Sequence, residues 1–301
     1  MRVAVTGKKG QVVRALLERA PRLQVEVIPM GRPELDLLNP EMIDAVLTAC
    51  TPDVVVSAAA YTAVDKAESE SELAYAINSR GAGAVAAAAG RLRIPIVHLS
   101  TDYVFSGDES GPYREDDPTG PIGVYGRSKL AGEVAVAKAT PDHAILRTAW
   151  VYSPFGTNFV RTMLRLAQTR ELVNVVADQH GSPTSAHDIA DAVVAVCQNL
   201  VGAPGSPKLR GVFHMTGAGE TTWAGFAEAI FAASVACGGP QARVRPIPTS
   251  AYPTPARRPA NSRLDGAKLK TVHGVVLPDW RISTGLCVAR LVTELNNGSR
   301  E

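Results

Sequence analysis

The first twenty residues constrain this chain more than any other stretch. Residues 2–6 (RVAVT) are a short apolar run, residues 7–10 (GKKG) form a turn bounded by glycines, and a periodic stretch begins at Gln11. Val12, Val13, Leu16, Leu17 and Ala20 recur there at helical spacing, so the order is strand, glycine turn, helix. That order is the opening βα unit of a dinucleotide-binding sheet. Gly7 permits the tight turn, and Gly10 lets backbone approach a pyrophosphate resting on the helix N-terminus, against Gln11 and Val12. A third glycine is expected at position 13, where helix and strand pack closely, and Val13 stands there. Its extra volume predicts a slightly displaced first helix or weaker cofactor binding.

Further strand-like runs alternate with helical stretches. The second strand lies near residues 25–28, the third at 53–57, the fourth at 94–100 and the fifth at 144–149. Such alternation implies an α/β fold, a Rossmann-type doubly wound parallel sheet, with ligands outside the carboxyl ends of the strands. Residues 1–150 read as the dinucleotide-binding domain. Residues 151–301 read mainly as a smaller substrate domain with segments crossing back. Helices are expected at 158–170 and 187–200, and the small-residue stretch 82–90 reads as a helix packed tightly on the sheet. The proline-rich stretch from Pro246 to Pro259 cannot be a regular helix and reads as an ordered loop over a pocket or an interdomain crossing.

Between the fourth and fifth strands, Tyr125 and Lys129 stand four residues apart at the start of a predicted helix. Side chains at that spacing share one helical face. A free tyrosine has a pKa of roughly 10, and a nearby cation lowers it. The pair therefore suits reversible proton transfer with a carbonyl or alcohol. After the second strand, Met30, Gly31 and Arg32 occupy the place where a carboxylate would hold an adenosine ribose 2′-hydroxyl. Arg32 there favours a 2′-phosphate, hence NADPH, with NADH left open; Asp36 is close enough to touch adenosine with either.

Of the 301 residues, 46% are hydrophobic and 20% charged, the balance of a soluble globular protein. Thirty-one basic residues against 29 acidic ones leave no electrostatic footprint for nucleic acid. The cysteines, at positions 50, 197, 237 and 287, lack paired metal-ligand spacing and read as reduced thiols of a cytoplasmic protein. No apolar stretch reads as a signal peptide or a membrane span.

With these motifs in place the chain resembles the dTDP-4-dehydrorhamnose reductase family, within the extended short-chain dehydrogenase/reductase group, over nearly its whole length. The resemblance rests on residues 7–12, 57–68 (SAAAYTAVDKAE), Asn78, 100–105 (STDYVF), 125–129 (YGRSK), 147–152 (RTAWVY) and 178–184 (DQHGSPT). The most specific segments are 251–259 (AYPTPARRP) and 261–264 (NSRL). It implies reduction of the C4 ketone of dTDP-4-dehydro-β-L-rhamnose to dTDP-β-L-rhamnose. Tyr125 would be the proton donor, Lys129 would hold the nicotinamide ribose, and Thr101 would supply a hydroxyl to the same oxygen. Asp36, Leu37, Ala60, Tyr61, Thr62 and Leu99 would lie along the cofactor. Asp102 would orient the sugar, Trp150 would offer it a flat face or act as a plain core aromatic, and Arg257, Arg258 and Arg263 are candidates for the diphosphate. Some relatives dimerise around a shared magnesium ion. Here Ala15 stands where a carboxylate is wanted and only Glu294 is suitably placed, which speaks against that metal-linked dimer; a homodimer of another kind and Mg²⁺ elsewhere stay open, and no metal ligand is assigned.

Two other functions fit the same residues. One is reduction or epimerisation of a different nucleotide-linked deoxysugar. The other is a non-catalytic regulatory subunit resembling that of methionine adenosyltransferase, against which the spacing of Thr101, Tyr125 and Lys129 argues.

Overall fold

The computed structural model describes residues 1–298. In chain order the nucleotide-binding half runs β1 (Arg2–Thr6), α1 (Gln11–Leu23), β2 (Glu26–Met30), α2 (Pro40–Cys50), β3 (Val54–Ser57), α3 (Val64–Ala67) and α4 (Ser71–Tyr75). A π-helical segment (Ala76–Gly81) then leads into α5 (Ala82–Leu92), followed by β4 (Ile96–Thr101), a 3₁₀ turn (Asp102–Val104), α6 (Val124–Ala139) and β5 (His143–Thr148). Beyond it lie β6 (Val151–Tyr152), α7 (Phe159–Ala167), β7 (Leu172–Val176), β8 (His180–Gly181), β9 (Thr184–Ser185) and α8 (Ala186–Gly202). The remainder is β10 (Gly211–His214), β11 (Thr221–Thr222), α9 (Trp223–Ala236), β12 (Arg243–Ile247), β13 (Asn261–Ser262), α10 (Ala267–His273) and α11 (Trp280–Gly298).

The central sheet has six parallel strands in the order β10-β5-β4-β3-β1-β2, the doubly wound α/β arrangement expected. Alternate residues of each strand feed opposite cores, as the two-residue period of a strand demands. Val3, Val5, Val54, Val56, Val97, Leu99 and Leu146 pack on α1 and α8. Ala4, Val55, Ile96 and Ile145 pack on α2, α5 and α6. Both faces are covered, which is why these strands carry apolar residues on consecutive positions. The chain leaves β1 toward β2 on one side and β3 on the other, so the order reverses at β1 and opens a crevice at the carboxyl edge. The buried Thr6 hydroxyl accepts from the backbone N–H of Ala58 and of Ala59, at 3.0 Å each, and pins the two loops that flank that crevice.

Differences from the sequence reading are local. The second strand starts and ends later than expected, at Glu26 and Met30. The sixth strand, β10, comes from residues beyond 150 and was not foreseen. The helices expected at 158–170 and 187–200 are α7 and α8, begun by Asn158 and Ser185, whose side chains cap Arg161 and His187. The small-residue helix α5 packs on α6 as well as on the sheet: a Cβ at Gly83 would lie 3.0 Å from that of Ala135. Part of the proline-rich stretch is strand: Pro246 lies in β12, which among the described residues pairs with β7 alone, a place where proline's missing donor is tolerated. A second core joins α7, α9, α11 and β7 through Val160, Met163, Val173, Phe226, Ile230, Trp280 and Leu291. Among the described residues no helix is long and apolar enough to cross a membrane.

Candidate active site

Four loops meet at the carboxyl edge of the sheet. The first is the glycine turn. Gly7 has φ +100°, a conformation open to glycine, and its N–H donates to the Met30 carbonyl at 2.5 Å. Gly10 precedes α1 in extended conformation, with no side-chain cap and no acidic residue in the first turn. The free N–H groups of Gln11 and Val12 thus begin a helix whose positive end is uncompensated. The Gln11 side chain is taken by protein: its Oε1 accepts from Ser153 and Asn158. Val13 is buried against the turn, its Cγ2 3.5 Å from where a Cβ of Gly7 would stand.

The second loop follows β2. Arg32 is exposed, and its guanidinium engages none of the described residues. Lys8 reaches across from the glycine turn to the Arg32 carbonyl at 3.3 Å and to Glu34. Two basic side chains therefore flank this mouth; Lys8 was not singled out from sequence. Asp36 caps its own turn through the Leu38 N–H, and Leu37 is buried against the π segment, 2.8 Å from a Cβ built on Gly81.

The third loop, residues 58–63, is held by Asn78. That side chain is 1% exposed; it accepts from the Tyr61 N–H at 2.7 Å and donates to the Tyr61 carbonyl and to Ser128 of α6. Asn78 lies in the π segment, a distortion that often marks functional sites. Ala60, Tyr61 and the exposed Thr62 are thereby fixed relative to the helix carrying Tyr125.

Helix α6 begins at Val124, whose N–H donates to the Glu68 carboxylate at 2.8 Å. Its approach to the sheet edge depends on two glycines: a Cβ at Gly126 would meet the Tyr103 carbonyl oxygen at 2.1 Å, and one at Gly132 the Asn78 carbonyl at 2.1 Å. One turn behind, Glu133 forms a buried bidentate pair with Arg147 of β5, at 2.9 and 2.7 Å, and accepts from Ser100. Tyr125 and Lys129 share a face, as their spacing predicts, but the Lys129 ammonium is turned onto the Leu99 carbonyl at 2.6 Å. Burial takes Lys129 down to about 8. Burial likewise pushes the Tyr125 phenol up to about 12; the nearby Asp102 charge adds to the rise, and the Thr101 hydroxyl acts against it. In this arrangement the phenol is governed by its burial, whereas spacing alone suggested a pKa lowered by the cation.

Thr101 ends β4 and caps the 3₁₀ turn through the Tyr103 N–H, and its hydroxyl donates to Asp102 Oδ1 at 2.9 Å. Asp102 is 3% exposed, and burial raises it to about 6 against the pull of Ser262 and Thr101. Its Oδ2 is buried without a hydrogen-bond partner among the described residues. Next to Thr101 in the register lies Thr148, and two residues on is Trp150, beyond the strand end rather than within it. Trp150 has φ +48°, a rare conformation for a bulky residue. Its indole is stacked on Trp223, with centroids 3.6 Å apart and planes 9° from parallel, and its far edge fills the space a side chain at Gly181 would need.

Of the three arginines expected near a diphosphate, two are engaged by protein. Arg258 makes a bidentate pair with Asp65 of α3 at 3.2 and 2.9 Å, and Arg263 binds Asn261, Glu220 and the Ser110 carbonyl. Arg257 is exposed, and its guanidinium engages none of the described residues. Farther along α1 from the glycine turn, Glu294 pairs with Arg290, which also holds Glu18, while Ala15 is buried. Among the described residues no cluster of three or more His, Cys, Asp or Glu is arranged to hold a metal.

Residues 1–293 match the model of the RmlD substrate binding domain. A dTDP-4-dehydrorhamnose reductase of Sinorhizobium fredii is 52% identical over 294 residues, covering 98% of this chain and 99% of the relative. The chain belongs to the dTDP-4-dehydrorhamnose reductase family. These relatives are oxidoreductases, and the fold agrees. The crystal structure of the Bacillus anthracis dTDP-4-dehydrorhamnose reductase in complex with NADP superposes with a TM-score of 0.89 at 34% identity, over 96% of this chain and 99% of that one. A probable dTDP-4,6-dihydroxy-2-methyloxan-3-one 4-ketoreductase of Streptomyces antibioticus is 40% identical over 93% of this chain and 92% of its own length. Within the family frame, sequence reasoning had not assigned roles to Trp223, Lys8, Glu133 or His98. Asp65, Glu68 and Asn78 stood in the motifs quoted for the reductase family, and their positioning contacts came only with the fold.

Proposed function

We propose that this protein reduces the C4 ketone of dTDP-4-dehydro-β-L-rhamnose to dTDP-β-L-rhamnose, with Tyr125 as proton donor and NADPH as the preferred coenzyme. The observation that carries the reading is the Tyr125 phenol, at the first turn of α6, set against the Thr101 hydroxyl at the carboxyl edge of the sheet. A dinucleotide fits the opposite side of the crevice. Gly7 and Gly10 present backbone, α1 begins uncapped, and Arg32 stands free beside Lys8 for a 2′-phosphate. Asp36 and Leu37 would border adenosine, and Ala60, Tyr61, Thr62 and Leu99 would line the rest of the cofactor. Bound there, the coenzyme supplies the hydride that goes to C4.

The chain's own groups do the rest. A phenol near 12 keeps its proton at neutral pH and yields it only to an oxygen becoming an alkoxide, which suits a general acid. Thr101, its hydroxyl proton turned from Asp102 toward the substrate, offers a second donor to the same oxygen, where hydrogen bonds count most. Lys129 keeps its bond to Leu99 and holds the nicotinamide ribose with a remaining hydrogen. The orphaned Asp102 Oδ2 takes a sugar hydroxyl as its missing partner, Trp150 supports the apolar sugar face, and Arg257 reaches the diphosphate. Arg258, committed to Asp65, holds the loop that carries Arg257.

The test is coenzyme oxidation, followed by loss of its ultraviolet absorbance, with dTDP-4-dehydro-β-L-rhamnose and with NADPH or NADH. Wild-type turnover that disappears in Tyr125→Phe, with coenzyme binding retained, is the expected result. Arg32→Ala should lower the NADPH/NADH preference about tenfold, the size of one charge-assisted phosphate contact. The second reading is a 4-ketoreductase of another dTDP-linked deoxysugar, favoured by the Streptomyces antibioticus relative. Turnover of such a sugar and none of the rhamnose precursor would replace the first reading by the second.

A further inference from the structure

Behind the reactive edge lies a buried histidine that the reduction chemistry leaves without a role. His98 of β4 is 1% exposed, between Ser57 of β3 and Lys129 of α6. Its Nδ1 is 3.1 Å from Ser57 Oγ, and its Nε2 is 3.5 Å from Lys129 Nζ. The ammonium is also bound to the Leu99 carbonyl at 2.6 Å. An ammonium has three donors and no acceptor, so Nε2 can face it only through its lone pair. That assigns the ring proton to Nδ1, where Ser57 Oγ accepts it. A protonated ring would set two cations side by side in a buried space, and burial together with the Lys129 charge holds His98 well below the usual histidine range.

We propose that His98 is a positioning residue for Lys129, its neutral imidazole and the Leu99 carbonyl holding two of the three ammonium hydrogens and aiming the third at the coenzyme ribose. The inference rests on the role given to Lys129 in the proposed reaction. Two acceptors oppose the burial that pulls Lys129 down, because hydrogen bonds to the charged form favour it. The other charged or titratable neighbours act differently. Glu133, one turn along α6, favours the ammonium from a distance while bound to Arg147 and Ser100. His143, at the start of β5, disfavours a proton on His98. Tyr125 shares the helical face of Lys129, and Ser57 on β3 carries no charge.

Two substitutions separate this role from simple packing. In His98→Asn the amide can keep a contact with Ser57 but falls short of Lys129; in His98→Gln it reaches the Nε2 position and restores an acceptor. NADPH dissociation constants, measured by fluorescence titration between about pH 6 and 10, follow the Lys129 charge without any need for turnover. Affinity should fall as Lys129 deprotonates. In His98→Asn that alkaline limb is expected about one pH unit lower, with a smaller loss of affinity at the acid end where the ammonium is no longer aimed, and in His98→Gln both return near their wild-type positions. Ser57→Ala frees the tautomer and should move the limb the same way by a smaller step; it serves where the asparagine variant does not fold. Equal shifts in the asparagine and glutamine variants, or no shift in either or in Ser57→Ala, would overturn the proposal. A wild type that binds NADPH without reducing the dTDP-sugar refutes the substrate reading alone, and the displacement of the limb still decides His98.

Discussion

Helix α6 carries Tyr125, and its seating depends on an absent side chain one residue on. In Gly126→Ala the new methyl would stand 2.1 Å from the Tyr103 carbonyl oxygen and 3.0 Å from the Pro121 Cβ. Carbon–oxygen contacts settle at about 3.3–3.6 Å, so helix and 3₁₀ turn must part by roughly 1.2 Å. Both partners of that contact hold reacting groups: Tyr125 lies next to Gly126, and Thr101 caps the turn that contains Tyr103. A misplacement of about 1 Å costs on the order of a hundredfold in rate, equivalent to roughly 2.7 kcal/mol of barrier. Overpacking itself costs about 1–3 kcal/mol of stability, which for a chain of this length lowers Tm by a few degrees. Coenzyme oxidation, the NADPH dissociation constant and the melting curve would be measured together. Gly111→Ala serves as control, since a Cβ there meets nothing within 4 Å. The expected pattern is kcat down about a hundredfold, coenzyme affinity nearly unchanged and the control silent. A Gly126→Ala enzyme that melts early yet keeps kcat within about threefold of wild type would refute the claim that this contact sets the tyrosine.

Three further outcomes follow from the same geometry. Glu133→Gln leaves the Arg147 charge buried and uncompensated, with Nη1 already lacking a partner, and should cost about 3–5 kcal/mol in denaturant titration. Asp102 titrates at about 6 in the fold against an ordinary 3.8, so the folded state holds that proton the more tightly. The burial cost is then full above about pH 6 and gone below about pH 4, up to about 3 kcal/mol for the two-unit rise. Asp102→Asn should accordingly raise Tm at about pH 8 and not near pH 4, while weakening sugar binding; a pH-independent change would contradict the sign. Trp223→Ala removes the backing of Trp150, a stack worth roughly 0.5–1.5 kcal/mol beyond area, and is expected to raise KM for the nucleotide sugar up to about tenfold with kcat little altered.

How much of this was legible in the sequence depends on the range of the signal. The glycine turn and α1 announce themselves within a dozen residues, and β3, β4 and β5 carry apolar runs because both sheet faces are buried. The shared face of Tyr125 and Lys129 follows from helical periodicity alone. What periodicity could not reveal is where the lysine's hydrogens go, because Leu99 and His98 belong to another strand. The Asp65–Arg258 pair joins residues 193 apart, so nothing near Arg258 marks it as a structural clamp. Trp150 and Trp223 likewise meet only once β8 and β11 pair. Strand β10 is four residues long, and the two-residue strands carry no pattern a window could detect.

The return of the chain to its first sheet has a consequence for how the protein is made. Until residues 211–214 have been synthesised, β5 is an open edge, and until α8 arrives the sheet face formed by Val97, Leu99 and Leu146 lacks half its cover. Open edges and bare apolar faces are the surfaces through which nascent chains misassociate. A fragment ending at residue 150 would carry both permanently, so it should be recovered as aggregate rather than as a free nucleotide-binding module. On the ribosome the same interval, some sixty residues long, is the window in which a chaperone would be most needed.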